Sequence, residues 1–396
     1  MSTLSNHSPK EVREQVVIDL RTDDEILRVL ASDGSQATPT AKVVVLVPAH
    51  NEEAGIVKTI ESLRQQTYPV HRILVMSDNS TDRTVELARA AGAEVHETVN
   101  NTEKKGGAMN QGFAMLLPTL EDHDFIMGMD ADGMIKEDAT EIAMEIFQTR
   151  PGLGGVSGSV RCRKPTKWLE TAQVLEYEWG RRNMSRSGGK IHVLSGAAAW
   201  FPVHVLRHVM RARGTELPGT SAEVMLRGNI VEDYELTLAI RKLGYTVTSS
   251  KRVQMFSDLM PTIKMLEGQR MRWYRGTFET TQLYGWNEHT RNTFIAIAWN
   301  LFGSAIMALL YPLIAFAYLA NGVQPAYWFL LLTPLFIAEY AVVSRTIPGW
   351  YAKLFACTFF PMLAYALLLS LIYWRAVWHA LRKRPFNWHG DQEHYA

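Results

Sequence analysis

This sequence has little cysteine, little net charge and no apolar run near its start. Its two cysteines, Cys162 and Cys357, lie far apart without a CxxC partner, which excludes a cysteine-based zinc site and a disulfide framework and suits a reducing compartment. A formal net charge of +1 over 396 residues provides no basic field for nucleic acid, and no aromatics are interleaved with basic patches. Residues 1–40 are polar and hold no n-region followed by an apolar h-region, so no signal peptide is expected there. Neither GxxxxGK[ST] nor GxGxxG occurs, which removes the P-loop and the dinucleotide fingerprint.

Apolar residues make up 47% of the chain, and their distribution separates two regions. From Asn292 to Ala338 there is no Asp, Glu, Lys or Arg. This reads as two membrane-length segments, about Thr293 to Ala320 and about Tyr327 to Ser344, parted by the turn signals Asn321-Gly322 and Gln324-Pro325. A third charge-free run, Leu354 to Trp374, is flanked by Trp350, Tyr351, Tyr373 and Trp374, the aromatic pattern of a membrane interface. Glu339 sits inside the second run, where a carboxylate is costly unless it faces protein or water.

Earlier in the chain, short apolar runs alternate with amphipathic stretches. Val43 to Val47 reads as a buried strand, Glu53 to Gln66 as a helix, Arg72 to Met76 as a strand, Asp82 to Ala91 as a helix and Asp124 to Met129 as a later strand. Such alternation predicts an α/β fold with a mostly parallel sheet, helices on both faces and ligands at the carboxyl ends of the strands. The expected units are a polar tail at 1–40 carrying a short helix around Asp23 to Leu30, a catalytic domain at 41–250, interfacial amphipathic helices at 251–291, an apolar region at 292–375 and a basic tail at 376–396.

The polar residues cluster just past those strands. The first strand runs into Pro48-Ala49-His50-Asn51-Glu52-Glu53 and the second into Ser77-Asp78-Asn79-Ser80-Thr81-Asp82. These groups suit a base edge and ribose hydroxyls, and equally suit helix capping, above all at Asp82. Lys104-Lys105-Gly106-Gly107 opens a helix with small residues beside a lysine, a setting that favours phosphate oxygens. Asp130-Ala131-Asp132 follows an apolar strand, so two hard carboxylates can face one Mg²⁺ or Mn²⁺ ion. Glu232-Asp233 begins an amphipathic helix and offers a carboxylate as general base. In Gln269-Arg270-Met271-Arg272-Trp273, the i, i+3, i+4 spacing puts Gln269, Arg272 and Trp273 on one helical face, suited to diphosphate and sugar or to a juxtamembrane surface.

In that order these residues resemble the processive family 2 glycosyltransferases, the cellulose, hyaluronan and poly-N-acetylglucosamine synthases, over about residues 42–285. The resemblance implies a GT-A-type fold and an inverting transfer from a nucleotide-sugar, typically UDP-linked in such enzymes, to a saccharide acceptor, with single-sugar transfer to a lipid or protein as the alternative. An inactive nucleotide-binding scaffold is the reading from another class. His50, Glu52, Asp78, Lys105, Asp130, Gln269, Arg272 and Trp273 are then expected at the nucleotide-sugar. Asp130 and Asp132 are expected at the metal, Asp233 as the base, and Ser195, Gly196 and Trp273 at the acceptor. An integral membrane protein with its catalytic domain facing the cytoplasm follows, with homo-oligomers left open. The sequence departs from the family in three respects. It has Ser77-Asp78 where relatives often have two aspartates, and no membrane-length run precedes the catalytic region. Three crossings would also place Arg382-Lys383-Arg384 on the far side, against the positive-inside tendency.

Overall fold

The structure is a computed structural model, and it describes residues 41–321, 341, 345, 347, 353–355 and 359–384. The tail before residue 41, Glu339 and nearly all of Tyr327 to Ser344 lie outside the described residues. An eight-stranded sheet forms the body, in the order β3-β2-β1-β4-β7-β6-β8-β5. Its strands are β1 (Val43–Ala49), β2 (Val70–Ser77), β3 (Glu94–Glu97), β4 (Phe125–Met129), β5 (Met134–Ile135), β6 (Leu153–Cys162), β7 (Ala198–Pro202) and β8 (Thr246–Ser257). Strands β1, β2, β3 and β4 pair in parallel, as do β6 and β8, while β7 runs antiparallel to both β4 and β6 and β5 antiparallel to β8. The mostly parallel α/β reading therefore holds, with antiparallel pairs on one side. Strand β8 runs through residue 250, the expected end of the domain.

Strand β1 is buried along its whole length, as an unbroken Val-Val-Val-Leu-Val run demands of a central parallel strand. Its side chains alternate between two cores. Val43, Val45 and Val47 join Ile56, Ile60 and Leu63 of helix α1 (Ile56–Arg64) on one face; Val44 and Leu46 join Met109, Phe113 and Leu116 of α3 (Lys104–Leu116) on the other. Gly112 permits this second contact, because a Cβ there would lie 2.4 Å from Leu46 Cδ1. Helix α2 (Thr84–Ala90) begins two residues later than its sequence pattern suggested. The reason is Asp82, whose carboxylate accepts from Thr84 N–H at 3.0 Å and so serves the helix start.

Helices α4 (Ala139–Thr149), α6 (Val203–Ala212) and α7 (Glu232–Lys242) complete the two layers. Beside them lie α5 (Trp168–Arg186) and α8 (Ile263–Tyr284), followed by α9 (Arg291–Asn321) and α10 (Phe359–Leu381). Two stretches, Arg291–Leu310 and Pro361–Leu381, are long and apolar enough to cross a membrane by length and composition. They differ in packing. Along α9, Trp299, Phe302, Leu309, Leu313, Phe316 and Leu319 are all exposed, whereas α10 buries Met362, Tyr365, Ile372, Ala376 and Val377 along one side.

Candidate active site

The tips of β1, β2 and β4 open on one edge because these strands are parallel. Strand β7, antiparallel to β4, brings the residues that precede it to the same edge, since Met129 stands opposite Ala198. Ser195 and Gly196 thus reach the site by entering a strand, while Glu52, Asp78 and Asp130 reach it by leaving one.

The tips of β1 and β2 are locked together. Asn51 and Asn79 both take the left-handed conformation at φ 55, which asparagine tolerates better than most residues. Asn51 Oδ1 accepts from Thr81 N–H at 2.8 Å, and His50 Nδ1 donates to the Asp78 carbonyl at 2.5 Å. The Asp78 carboxylate accepts from the Thr98 hydroxyl at 2.7 Å. The loop after β1 then packs on the Asp130-Ala131-Asp132 turn, where a Cβ on Gly55 would come within 3.1 Å of the Asp132 Cα.

Lys105, in the first turn of α3, is the electrostatic centre. Its Nζ lies 2.6 Å from Asp130 Oδ1 and 2.7 Å from Glu232 Oε1. Burial opposes its charge, but Asp130 and Glu232 outweigh that penalty and hold the amine above the ordinary lysine range. Glu232 is buried as well; Lys105 and Arg272 overcome its desolvation and keep it below the ordinary carboxylate range. Asp233, the next residue, goes the other way. Burial and the charge of Glu232 raise it, while Lys105, Arg272 and the Gly196 N–H, 3.2 Å from Oδ2, act in opposition. A side chain at 196 would crowd this meeting point, since a Cβ there would stand 3.0 Å from Lys105 Nζ and 3.5 Å from Asp233 Oδ2.

The carboxylates at the other end of the edge are less fully compensated. Glu52 is pushed up to about 8 by desolvation and by the charges of Asp132, Asp130 and Asp82. Asp132 is raised to about 6 by desolvation and Asp130. Among the described residues no group of three or more His, Cys, Asp or Glu side chains forms a self-sufficient metal cage. The pair fits a cation of the Mg²⁺ type all the same, because such an ion keeps waters and takes its remaining ligands from phosphate oxygens. Asp132, raised by desolvation and then by the charge of Asp130, is the kind of carboxylate that a divalent ion would relieve.

The Gln269–Trp273 segment lies on α8 and divides in two. Arg272 is close enough to Glu232 and Asp233 to act on both electrostatically. Trp273 instead packs with Val231, Tyr234 and Leu238, and the Arg270 guanidinium stands 4.4 Å over its ring. Gln269 Oε1 is buried with no hydrogen-bond partner among the described residues. Arg270, to which the sequence pattern assigned no role, is buried, pairs with Glu176 at 2.9 Å and shares that carboxylate with the Tyr365 hydroxyl at 2.6 Å.

Two further residues escaped the sequence reading. Glu232 was legible only as half of an acidic pair, and its lysine partner lies on another helix. Glu235, one helical step beyond, is wholly buried against Arg213 at 2.6 Å and accepts from the Tyr284 hydroxyl at 2.5 Å. Arg213 also donates to the carbonyls of Pro218 and Val224, and Asn110 of α3 accepts from the N–H groups of Val224 and Met225. A chain of satisfied polar groups thus ties the loop before α7 to the helix bearing Lys105.

Residues 44–210 match the family model "Glycosyl transferase family 2". A poly-beta-1,6-N-acetyl-D-glucosamine synthase of Staphylococcus epidermidis is 24% identical over 339 residues, covering 82% of this chain and 74% of that protein. The synthase of Staphylococcus aureus (strain COL) is 24% identical over 243 residues, 60% of this chain, and the match spans about half of the relative's length, 55%. Among solved structures, the mannosyltransferase PcManGT from Pyrobaculum calidifontis, in complex with GDP-Man and Mn²⁺, is 17% identical with a TM-score of 0.56, covering 91% of this chain and 94% of that one. That likeness is one of fold. Taken with the sheet and its acidic edge, the matches make residues 44–210 similar to a family 2 glycosyltransferase domain.

Proposed function

We propose that this enzyme is a membrane-bound inverting transferase that moves a sugar from a nucleotide-sugar to a saccharide acceptor, in polysaccharide synthesis. The observation that carries the reading is the meeting of a lysine held cationic and a carboxylate base at one point: Lys105 against Asp130 and Glu232, with Asp233 beside them at the Gly196 N–H. The poly-beta-1,6-N-acetyl-D-glucosamine synthases among its relatives support a saccharide acceptor. The GDP-Man and Mn²⁺ bound to PcManGT support a nucleotide-sugar and a divalent cation. The exposed apolar side chains of α9 support a place in the bilayer, with the catalytic region of about residues 41–250 on the cytoplasmic side.

Asp130 and Asp132 would hold Mg²⁺ or Mn²⁺, and such an ion, once bound, neutralises the diphosphate of the leaving nucleotide. Lys105 is released from Asp130 to the phosphate oxygens while Glu232 keeps it charged and aimed, and Arg272 adds a second cation. His50, Glu52 and Asp78 line the nucleoside end. Asp233 removes the proton from an acceptor hydroxyl. That oxygen forms its bond to the anomeric carbon as the bond to phosphate breaks, the electron pair leaves on the nucleoside diphosphate, and the configuration inverts. Ser195, Gly196 and Trp273 form the acceptor side, with Gln269 next to it.

The test is a screen of nucleotide-sugars with Mg²⁺ or Mn²⁺ that reads released nucleotide and product length together. A ladder of lengths is expected. One sugar added to a lipid or protein would replace the polymer reading, and full turnover in excess chelator would remove the metal role.

A further inference from the structure

The third charge-free run was expected to cross the membrane. Pro361–Leu381 is long enough to do so, since its 21 residues extend about 30 Å. Its packing points elsewhere. Helix α10 runs beside α8 from end to end: Met362 and Tyr365 cluster with Leu266, Tyr373 meets the Tyr274 ring at 4.9 Å, and Val377 and Ala380 cluster with Phe278. Polar contacts follow the same course. The Tyr365 hydroxyl donates to Glu176, Arg375 pairs with Glu267, and Arg275 donates to the Arg384 carbonyl at 2.5 Å.

Helix α8 cannot share a hydrocarbon layer with a crossing helix. It carries Glu267, Arg270, Arg272, Arg275 and Glu279, and its other side packs on the catalytic domain through Trp273 and Gly276, where a Cβ would lie 2.6 Å from Val231. Each charge drawn to the bilayer centre would cost about 2.5–3.5 kcal/mol on the insertion scale. The outer side of α10 has the composition of a surface-lying helix. Leu371, Trp374, Trp378 and Leu381 are exposed, and the Arg382 guanidinium sits 4.4 Å over the Trp378 ring. Tryptophan and arginine side by side at an apolar face suit the headgroup boundary of an anionic leaflet.

We infer that α10 does not cross the membrane but lies in the interface on the catalytic side, pressing its Leu371-Trp374-Trp378-Leu381 face into the lipid headgroup layer and bracing α8 from beneath. The inference rests on the membrane reading above and goes beyond it by assigning one apolar helix to a surface. Arg382, Lys383 and Arg384 then stay beside the catalytic domain, where the positive-inside tendency would place them.

Single cysteines test this in the full-length chain after Cys162→Ala and Cys357→Ala, with sugar transfer retained as the check on folding. Lys58→Cys, on the exposed side of α1, reports the catalytic side, and Arg384→Cys reports the end of α10. Membrane vesicles of each orientation are treated with a membrane-impermeant maleimide. The expected result is that both positions label in the same vesicle orientation and are protected in the other. Labelling of Arg384→Cys only in the orientation that protects Lys58→Cys would show that α10 crosses and overturn the inference while leaving the membrane reading intact. Recovery of the chain in the soluble fraction, with both positions labelled regardless of vesicles, would remove the membrane reading and this inference with it.

Discussion

The acidic edge of the sheet and the flank beside it use the same residue types to opposite ends. On the flank, wholly buried Glu235 has Arg213 and Tyr284, and half-buried Glu176 has Arg270 and Tyr365, so each carboxylate is matched. At the edge, Glu52 and Asp132 face other carboxylates and are driven upward, and the nearest cation, Lys105, is already engaged by Asp130 and Glu232. A matched buried charge rigidifies, whereas an unmatched one is a binding site for the charge it lacks. The difference therefore separates framework from site without reference to position in the sequence.

The sharpest way to break that comparison is at its meeting point. Asp233→Asn should lower sugar transfer by about 10²–10⁴-fold, the usual loss for a general base, with the melting temperature little changed. Near-normal turnover of the purified variant would remove the base assignment. On the flank the prediction reverses. Arg213→Ala strands Glu235 in the core and should cost about 3–5 kcal/mol of stability, read by denaturant unfolding in detergent; a cost near zero would show that the pair is not matched.

Arg270→Lys keeps the charge on Glu176 but loses the flat guanidinium over Trp273. A loss of about 0.5–2 kcal/mol is expected from the stacking contribution, in the same unfolding measurement. The last effect is one of pH, spread over several pH units. Glu52 titrates at about 8 in the folded protein against 4.5 as a free side chain, so the folded state holds a proton that the unfolded state has released. Stability of the metal-free protein should fall as pH rises from about 4.5 to about 8 and level off above, with Asp132 adding to the fall up to about 6. Glu52→Gln should flatten this dependence in thermal melts across that range, and an unchanged slope would show that Glu52 is not desolvated as described.

Much of the site was legible because a parallel sheet collects its functional groups at strand ends, and strand ends can be found from apolar runs. Asp130-Ala131-Asp132 follows β4 and His50-Asn51-Glu52 follows β1, as the sequence implied. Asp82 was ambiguous between ligand and cap, and its bond to Thr84 gives it to the helix. Glu232, Glu235, Arg213 and Arg270 were not legible in their roles, since each depends on a partner brought in from another element. Hydropathy likewise found α10 but registered only that it is apolar, not that one side of it is covered by a charged helix.

By itself the sequence determined the alternation of strands and helices, the apolar C-terminal region and the set of acidic and basic groups available for sugar transfer, because these follow from local periodicity and residue chemistry. Only the tertiary structure decided which carboxylates are matched and which are left wanting a cation, and which apolar helix lies against polar protein. Both depend on distances between residues remote in the chain, and Coulomb energy and burial are set by those distances rather than by sequence spacing.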